Sequence, residues 1–509
     1  MIFRKLKKGC GVIADGLLGR LIDRTDQSLP MGFLRRCLKI HPFIYALYQY
    51  RIGNTRLSRR LTVNRRPRTE FERHFCARVG EICDIVERGY DAEIPRSSPR
   101  VTWNRKALFA LHYSLPYDTA GYSVRSHSIL THLKRRGLDV PAVTRLGYPW
   151  NLGGYAGKEL RVENNIDGLC YVRLTSDCNW RQRRDSEYID AYAQRLVEEA
   201  KAGSVSILHS ASNFLNGLAA ARAARTAGCK SIYEVRGLWH LSQAVKEPGF
   251  ENADHFLYSE IMERAAALEA DAVVTISEAL KERLAHAGVK PEKITVIPNA
   301  VDLKIFKPMS SNVELKKRLG LEGKTVVGFI GSLTGYEGLD LLIEAVASLV
   351  GQGAKLCLLL VGKGYAETAL KKIASSRQRK DCIRFVGHVP FNDIKKYYSI
   401  IDIFPFPRNG YEVCRLSPPL KVLEAMAAAK PVIVSDLPPL LEMVKDGETG
   451  YVCRADDLQS LTETIQRLYE NPDERQSLGA AARKWVAENR SWEDISGKYI
   501  DLYRETCDG

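Results

Sequence analysis

Short apolar runs and helical stripes alternate along most of this chain, and the alternation predicts repeated strand–helix units. The first run, 107–111, leads through a glycine-containing loop (His112 to Gly121) into a helix ending near Gly137 and a strand at 140–143. Strands at 206–209, 231–235, 272–276 and 294–297 follow, with helices at 216–227 and 260–270. Gly228 closes the first of these helices, and Ser277 is placed to cap another that turns Leu280 and Leu284 inward. A second series opens at 326–330, passes through the loop 331–338 into a helix from Leu339, and continues with strands at 357–361, 383–386, 403–406 and 432–434. The charged stretch 302–323 separates the two series, so two successive α/β domains are expected rather than one long sheet. A final stripe at 491–504 sets Trp492, Ile495, Tyr499 and Leu502 on one side of a helix. Ahead of the first strand, 69–88 reads as a helix and the Pro/Ser/Arg run 95–100 as a linker.

Composition adds little to that picture, but charge adds a great deal. The chain has 509 residues, 45% of them hydrophobic, and no stretch of 18 apolar residues that would suggest a membrane span. The opening Met-Ile-Phe-Arg-Lys-Leu-Lys-Lys has a basic flank without a following apolar core, so a signal peptide is not expected. Twelve scattered cysteines without a C-x-x-C pair read as reduced thiols of a cytoplasmic protein. The net charge is +15, and residues 1–68 hold sixteen Lys/Arg against three acids, so almost all of the excess lies there. Aromatic and aliphatic residues interleave with that charge, as in Phe33-Leu34-Arg35-Arg36 and Phe43-Ile44-Tyr45-Ala46-Leu47-Tyr48. Residues 1–68 therefore suit docking on an anionic membrane surface, the alternative being a basic helical extension packed on the protein itself. No nucleic-acid reader motif accompanies the charge, and no nucleic-acid partner is expected.

The densest chemistry lies between Arg415 and Asp436. Ser417-Pro418-Pro419-Leu420-Lys421-Val422-Leu423-Glu424-Ala425-Met426-Ala427 reads as a helix start that Ser417 caps and Pro418 opens, with a buried strand after it. Free N–H groups at such a start, beside a lysine, suit a diphosphate, and a carboxylate one turn on can take both hydroxyls of a ribose. An exposed Lys421–Glu424 pair on an ordinary αβ unit is the plainer alternative.

This block resembles the helix motif of the retaining glycosyltransferases of family 4, in a form like that of bacterial surface-polysaccharide clusters. Other landmarks follow in the same order from about 105 to 505: Leu115-Pro116-Tyr117-Asp118-Thr119-Ala120-Gly121, Arg145 to Trp150, His209 to Asn213, and Tyr233 to Trp239. Pro298-Asn299-Ala300-Val301-Asp302, the loop 331–338, Gly362-Lys363-Gly364 and Val386-Gly387-His388-Val389 then complete the series.

The resemblance implies an α/β protein of GT-B fold, two Rossmann-like doubly wound domains facing a cleft, plus a basic N-terminal extension. The expected divisions are the extension 1–104, an acceptor domain 105–301, a nucleotide-sugar domain 302–490 and a C-terminal helix 491–509 that crosses back. It implies a UDP- or GDP-sugar donor, no cofactor and no metal, and a glycan acceptor, lipid-linked and met on the inner face of the plasma membrane. Lys421, Arg415 and His209 are the implied catalytic groups. Gly121, Gly331, Ser332, Gly362, Val389, Ser417, Leu420 and Glu424 are the implied donor contacts. Arg125, Glu234, Arg236, Arg408 and Glu412 are candidates for acceptor or phosphate.

Three departures from the family pattern involve four positions. Leu416 stands eight residues before Glu424 where many relatives have a glutamate, and Glu412 is the nearest substitute. Ser332 and Glu337 stand where relatives carry Arg and Lys, and Ala211 where some carry a second histidine. A catalytically silent scaffold and a sugar-nucleotide epimerase of the same fold therefore stay open beside a transferase. A nicotinamide-dependent dehydrogenase is discounted, because Gly362-Lys363-Gly364 lacks the third glycine of G-x-G-x-x-G.

Overall fold

The computed structural model describes residues 42–93, 100–152, 154–176, 178, 180, 183–376 and 382–508. The chain divides into two compact units. One holds the chain up to Val273 with Ala287–Val289 and Tyr503–Gly509, the other Val274–His286 and Lys290–Leu502. The first α/β series builds an eight-stranded sheet from β1 (Ala107–Leu111), β2 (Ala142–Thr144), β3 (Glu163–Ile166), β4 (Leu169–Arg173), β5 (Ile207–Ala211), β6 (Lys230–Val235), β7 (Ala272–Thr275) and β8 (Ile294–Val296). Its order is β3-β4-β2-β1-β5-β6-β7-β8. The pairs β1–β2, β1–β5, β2–β4 and β5–β6 are parallel, and β3 returns antiparallel to β4. Every residue of β1 and β5 is buried at the centre of a covered sheet, the continuous apolar run of β1 as well as His209 and Ser210 of β5.

The second α/β series supplies β9 (Thr325–Ile330), β10 (Leu356–Val361), β11 (Ile383–Gly387), β12 (Phe404–Phe406), β13 (Val432–Ser435) and β14 (Tyr451–Cys453). They run β11-β10-β9 and β12-β13-β14, and a parallel bridge between Val327 and Ile403 links the two sets. The chain thus moves outward from β9 to β11 and then returns to the other flank of β9. At such a reversal in strand order, the carboxyl ends of an open parallel sheet bind ligands. The predicted cap at Ser277 is present: its Oγ accepts from Leu280 N at 3.2 Å, and Leu280 and Leu284 are buried. Trp492, Ile495, Tyr499 and Leu502 are likewise buried in the helix Trp492–Asp508.

Ahead of β1, three helices, Pro42–Arg51, Thr55–Thr62 and Glu70–Arg88, pack on one another through Phe43, Ala46 and Leu47 against Phe71, Phe75, Val79 and Cys83. Thr69 caps the third, accepting from Glu72 N at 3.1 Å. This corrects the expectation that the aromatic run 43–48 faces a bilayer: Phe43, Ala46 and Leu47 form a core, with the Phe43 and Phe75 rings 5.2 Å apart. Ion pairs Arg56–Asp254 (2.6 Å) and Arg78–Asp185 (2.8 Å) tie the layer to the rest of the first unit. Residues 1–41 of the expected extension, and nearly all of the expected linker, lie outside the described residues. Among the described residues no helix is long and apolar enough to cross a membrane.

One buried acid makes this unit sensitive to pH. Glu263 accepts from Phe214 N at 3.1 Å and from the Tyr233 hydroxyl, and burial pushes its carboxyl from 4.5 up to about 7. The folded protein therefore keeps a proton that the unfolded chain has released, and stability falls as pH rises from about 4.5 to about 7. Glu263→Gln is expected to flatten the fall in Tm between about pH 5 and about pH 8. An unchanged slope in a pH series of melting curves would contradict the assignment.

Candidate functional site

The helix Leu420–Ala427 begins two residues later than the sequence reading places it. Each proline holds the residue before it extended, so Ser417 (φ −121°, ψ 110°) cannot open the helix, and Pro419 becomes its N-cap. Ser417 instead ends the short helix Glu412–Leu416, and its buried Oγ has no hydrogen-bond partner. The start at Leu420 has no side-chain cap, so its first N–H groups have no partner within the helix.

One turn in, Glu424 is 4% exposed, and its carboxylate is held by two donors. The Tyr398 hydroxyl donates to Oε2 at 2.6 Å, and Lys421 Nζ lies 3.1 Å from the same oxygen and 3.4 Å from Oε1. Tyr398 is itself fixed, stacked on Phe404 at 5.1 Å with Phe306 edge-on at 5.4 Å.

The loops after the strands close on this helix start. A Cβ on Gly331 would sit 3.8 Å from Lys421 Cγ, so the backbone after β9 runs along the lysine stem. Gly362, after β10, has φ +136°, and a Cβ there would lie 1.8 Å from Gly331 O, a contact only glycine permits. Lys363 is exposed, its Cε 3.8 Å from where a Gly387 Cβ would stand. The carboxyl ends of β9, β10 and β11 thus bring glycine backbone and Lys363 together, and the loop after β9 meets Lys421 as well. Ser332 is exposed beside them, while Val389 and Leu420 are half-buried.

The other expected cations of this unit divide. Arg408 is buried, its Nε 3.4 Å from Glu337 Oε2 and its Nη1 donating to Ser417 O at 2.6 Å. Burial raises the Glu337 carboxyl and Arg408 offsets part of that rise. Arg408 is therefore committed internally and does not reach a ligand from this position. Arg415 is exposed, with Nε donating to Gly410 O at 3.0 Å. Glu412 pairs with Arg283 at 3.2 Å on the surface, away from the Glu424 carboxylate's own partners, and Leu416 is buried.

In the first unit the sequence-named residues Arg125, His209, Glu234 and Arg236 form one buried network. Arg125 Nε donates to Glu234 Oε1 at 2.9 Å, while Arg236 Nη2 (3.0 Å) and His209 Nε2 (3.1 Å) meet Oε2. Burial alone would raise the Glu234 carboxyl, but Arg236, Arg125 and the His209 hydrogen bond outweigh it and hold the group well below its usual range. His209 has no exposed surface; burial lowers its ring against the pull of Glu234, and Nδ1 lies 2.8 Å from the Tyr503 hydroxyl. Arg236 runs on to Tyr122 O (3.0 Å) and Ser126 Oγ (2.6 Å), bracing the helix Gly121–Arg135. Gly121 is exposed as the first residue of that helix, where Asp118 Oδ2 accepts from Ala120 N at 3.2 Å and Ser123 Oγ at 2.5 Å. At the carboxyl ends of β1, β2 and β6, half-exposed Tyr113 and Trp239 stack at 5.9 Å, with buried Arg145 5.6 Å from the Tyr113 ring.

Sequence reasoning missed Tyr398 and Lys363. Nothing local links Tyr398 to a carboxylate 26 positions on. Lys363 did carry a signal, a cation between two glycines after an apolar strand.

Comparison with known proteins bears on the family and the fold. The model of the family described as Glycosyl transferases group 1 matches residues 312–485, and that described as Glycosyl transferase 4-like domain matches residues 120–300. The capsular polysaccharide biosynthesis glycosyltransferase CapM of Staphylococcus aureus is 26% identical over 54% of this chain and 71% of its own. A GDP-mannose-dependent alpha-(1-6)-phosphatidylinositol monomannoside mannosyltransferase of Mycobacterium tuberculosis is 28% identical over 46% of this chain and 62% of its own. Sucrose-phosphate synthase from Thermosynechococcus elongatus superposes with a TM-score of 0.65 at 21% identity, covering 79% of this chain and 98% of that one. Anabaena HepE, solved in complex with UDP, gives 0.62 at 18% identity over 79% of this chain and 100% of its own. At these identities the two structures speak to the fold, which is GT-B.

Proposed function

The chain belongs to the group 1, family 4 glycosyltransferases, and from that premise we propose a retaining hexosyl transfer from a UDP- or GDP-sugar to a lipid-linked glycan. The reaction is placed on the cytoplasmic face of a membrane, in the synthesis of a surface polysaccharide. The observation that carries the reading is the held carboxylate of Glu424. Tyr398 and Lys421 engage Oε2 closely, and Oε1 has only a 3.4 Å lysine contact, which leaves acceptor capacity for the two hydroxyls of a ribose.

As the bond from the anomeric carbon to the phosphate oxygen breaks, negative charge builds on the leaving diphosphate. Lys421, Arg415, the first N–H groups of Leu420–Ala427 and the backbone at Gly331, Ser332 and Gly362 are the groups assigned to meet it. Lys363 joins them as an exposed cation at the same strand ends. The acceptor oxygen bonds to the anomeric carbon on the same face, and its proton passes to the departing phosphate oxygen. In the first unit, Tyr113 and Trp239 offer ring faces to a glycan acceptor. The Arg125–Glu234–Arg236–His209 network holds that region in shape rather than touching substrate. CapM, a capsular polysaccharide glycosyltransferase, and the mycobacterial phosphatidylinositol monomannoside mannosyltransferase support the polysaccharide and lipid-linked parts of the reading.

The test is a panel of UDP- and GDP-sugars with membrane extract, following nucleotide release. One donor is expected to turn over only with extract, with or without EDTA. Interconversion of two sugar nucleotides without acceptor would favour an epimerase, nucleotide binding without turnover a silent scaffold, and strict manganese dependence a different cation set. Tyr398→Phe, which leaves Glu424 with one donor, is expected to raise the donor KM about 3- to 10-fold with kcat little changed, since a hydrogen bond of this kind contributes roughly 0.5–1.5 kcal/mol. Steady-state kinetics with the donor so identified would read it, and an unchanged KM would remove Tyr398 from the site.

A further inference from the structure

We infer that residues 51–68 form the surface by which this protein docks on an anionic lipid bilayer. The inference deepens the membrane part of the function above and is independent of the donor chemistry.

The helix Thr55–Thr62 is inverted relative to an ordinary surface helix. Its buried residues are Thr55, Ser58 and Thr62, hydroxyls satisfied locally where they bond at all: Thr55 Oγ1 donates to Gly53 O at 3.4 Å, and Thr62 Oγ1 to Ser58 O at 3.1 Å. Leu61 packs against the Phe43–Phe75 core, but other large apolar side chains point the other way. Leu57 is 38% exposed, with Ile52 just before the helix at 39% and Val63 just after it at 65%. A helix folding for its own burial turns leucine inward and serine outward. Exposed aliphatics on such a scaffold call for an apolar partner.

Around these tips Arg60, Arg65, Arg66 and Arg68 are exposed, and positions 51–68 contain no acid. The platform beneath is fixed. Arg59 is taken by Asp84 at 2.9 Å and Arg56 Nε by Asp254 at 2.6 Å. Gly53 (φ +87°) packs so closely that a Cβ would lie 2.6 Å from Ala253 Cβ.

An anionic bilayer satisfies both halves of this surface. Aliphatic tips enter the headgroup boundary while arginines meet lipid phosphate. A nucleic acid satisfies only the charge: residues 51–68 contain no aromatic ring on which a base could stack, and the aliphatic tips would stay in water.

The test is co-sedimentation of the full chain with vesicles of phosphatidylcholine alone or with about one third phosphatidylglycerol. Binding is expected only with phosphatidylglycerol. The triple variants I52S/L57S/V63S and R60E/R65E/R66E should each weaken it at least tenfold, and nucleotide titration should be unchanged in both as evidence of intact folding. Variants that sediment like the wild type, wild-type protein that ignores phosphatidylglycerol, or an RNA oligonucleotide that binds at this surface and displaces vesicles would each overturn the inference. Wild-type protein that binds the phosphatidylglycerol vesicles but no nucleotide would instead count against the donor reading alone.

Discussion

Glu424→Ala is expected to lower kcat/KM for the sugar nucleotide by on the order of 10²–10⁴-fold, the loss of two ribose hydrogen bonds to a charged acceptor at roughly 1.5–3 kcal/mol each. The substitution also leaves the buried Tyr398 hydroxyl without its acceptor, which costs about 1–3 kcal/mol of stability. Glu424→Gln separates the two effects. Its amide oxygen can still accept from Tyr398, so Tm should recover while donor affinity stays low, because the neutral group no longer balances Lys421. Steady-state kinetics and melting curves on both variants give the answer. Full activity in Glu424→Ala would remove the site.

Glu234→Gln carries the second large effect, and it falls on stability. The Glu234 carboxylate is fully buried and faces Arg125, Arg236 and His209 together. Neutralising it strands two guanidinium groups in the interior, and breaking a buried pair in this way costs about 3–5 kcal/mol. The sign with pH follows from the depressed carboxyl: its contribution is complete above the unfolded value of 4.5 and disappears as pH falls through the lower folded value. The wild type should therefore lose stability on acidification more steeply than Glu234→Gln. A variant that melts like the wild type at neutral pH would show that the network is hydrated, not buried. By the same geometry His209 has one ring nitrogen at the Tyr503 hydroxyl and the other at the Glu234 carboxylate.

How much the sequence revealed depends on what each segment's neighbours demand. Buried central strands such as β1 and β10 were legible because both faces are covered and their residues are all apolar. The β3–β4 hairpin was not, because β3 is an edge strand with alternating exposed and half-exposed polar residues and leaves no apolar run. The helix Asp185–Gly203 escaped notice because its inner face relies on Tyr188 and Tyr192 between charged neighbours.

At the site, the Lys421–Glu424 spacing was readable because three residues on a helix share a face. The helix start was misplaced because two prolines in succession delay it. The change at Glu337 was opaque for another reason: its meaning lies in Arg408, 71 positions on, with which it forms an internal pair. That pairing balances the charge of Glu337 beneath the surface, beside the site proposed for the diphosphate. Nothing in the structure explains Ser332.

The most direct test of the central claim, that the Lys421–Glu424 helix start holds the nucleotide, is a crystal structure with UDP or GDP bound. The account predicts ribose hydroxyls within hydrogen-bond distance of the Glu424 carboxylate and the diphosphate against Lys421 and the N–H groups at Leu420. A nucleotide bound with its ribose away from Glu424 would contradict it.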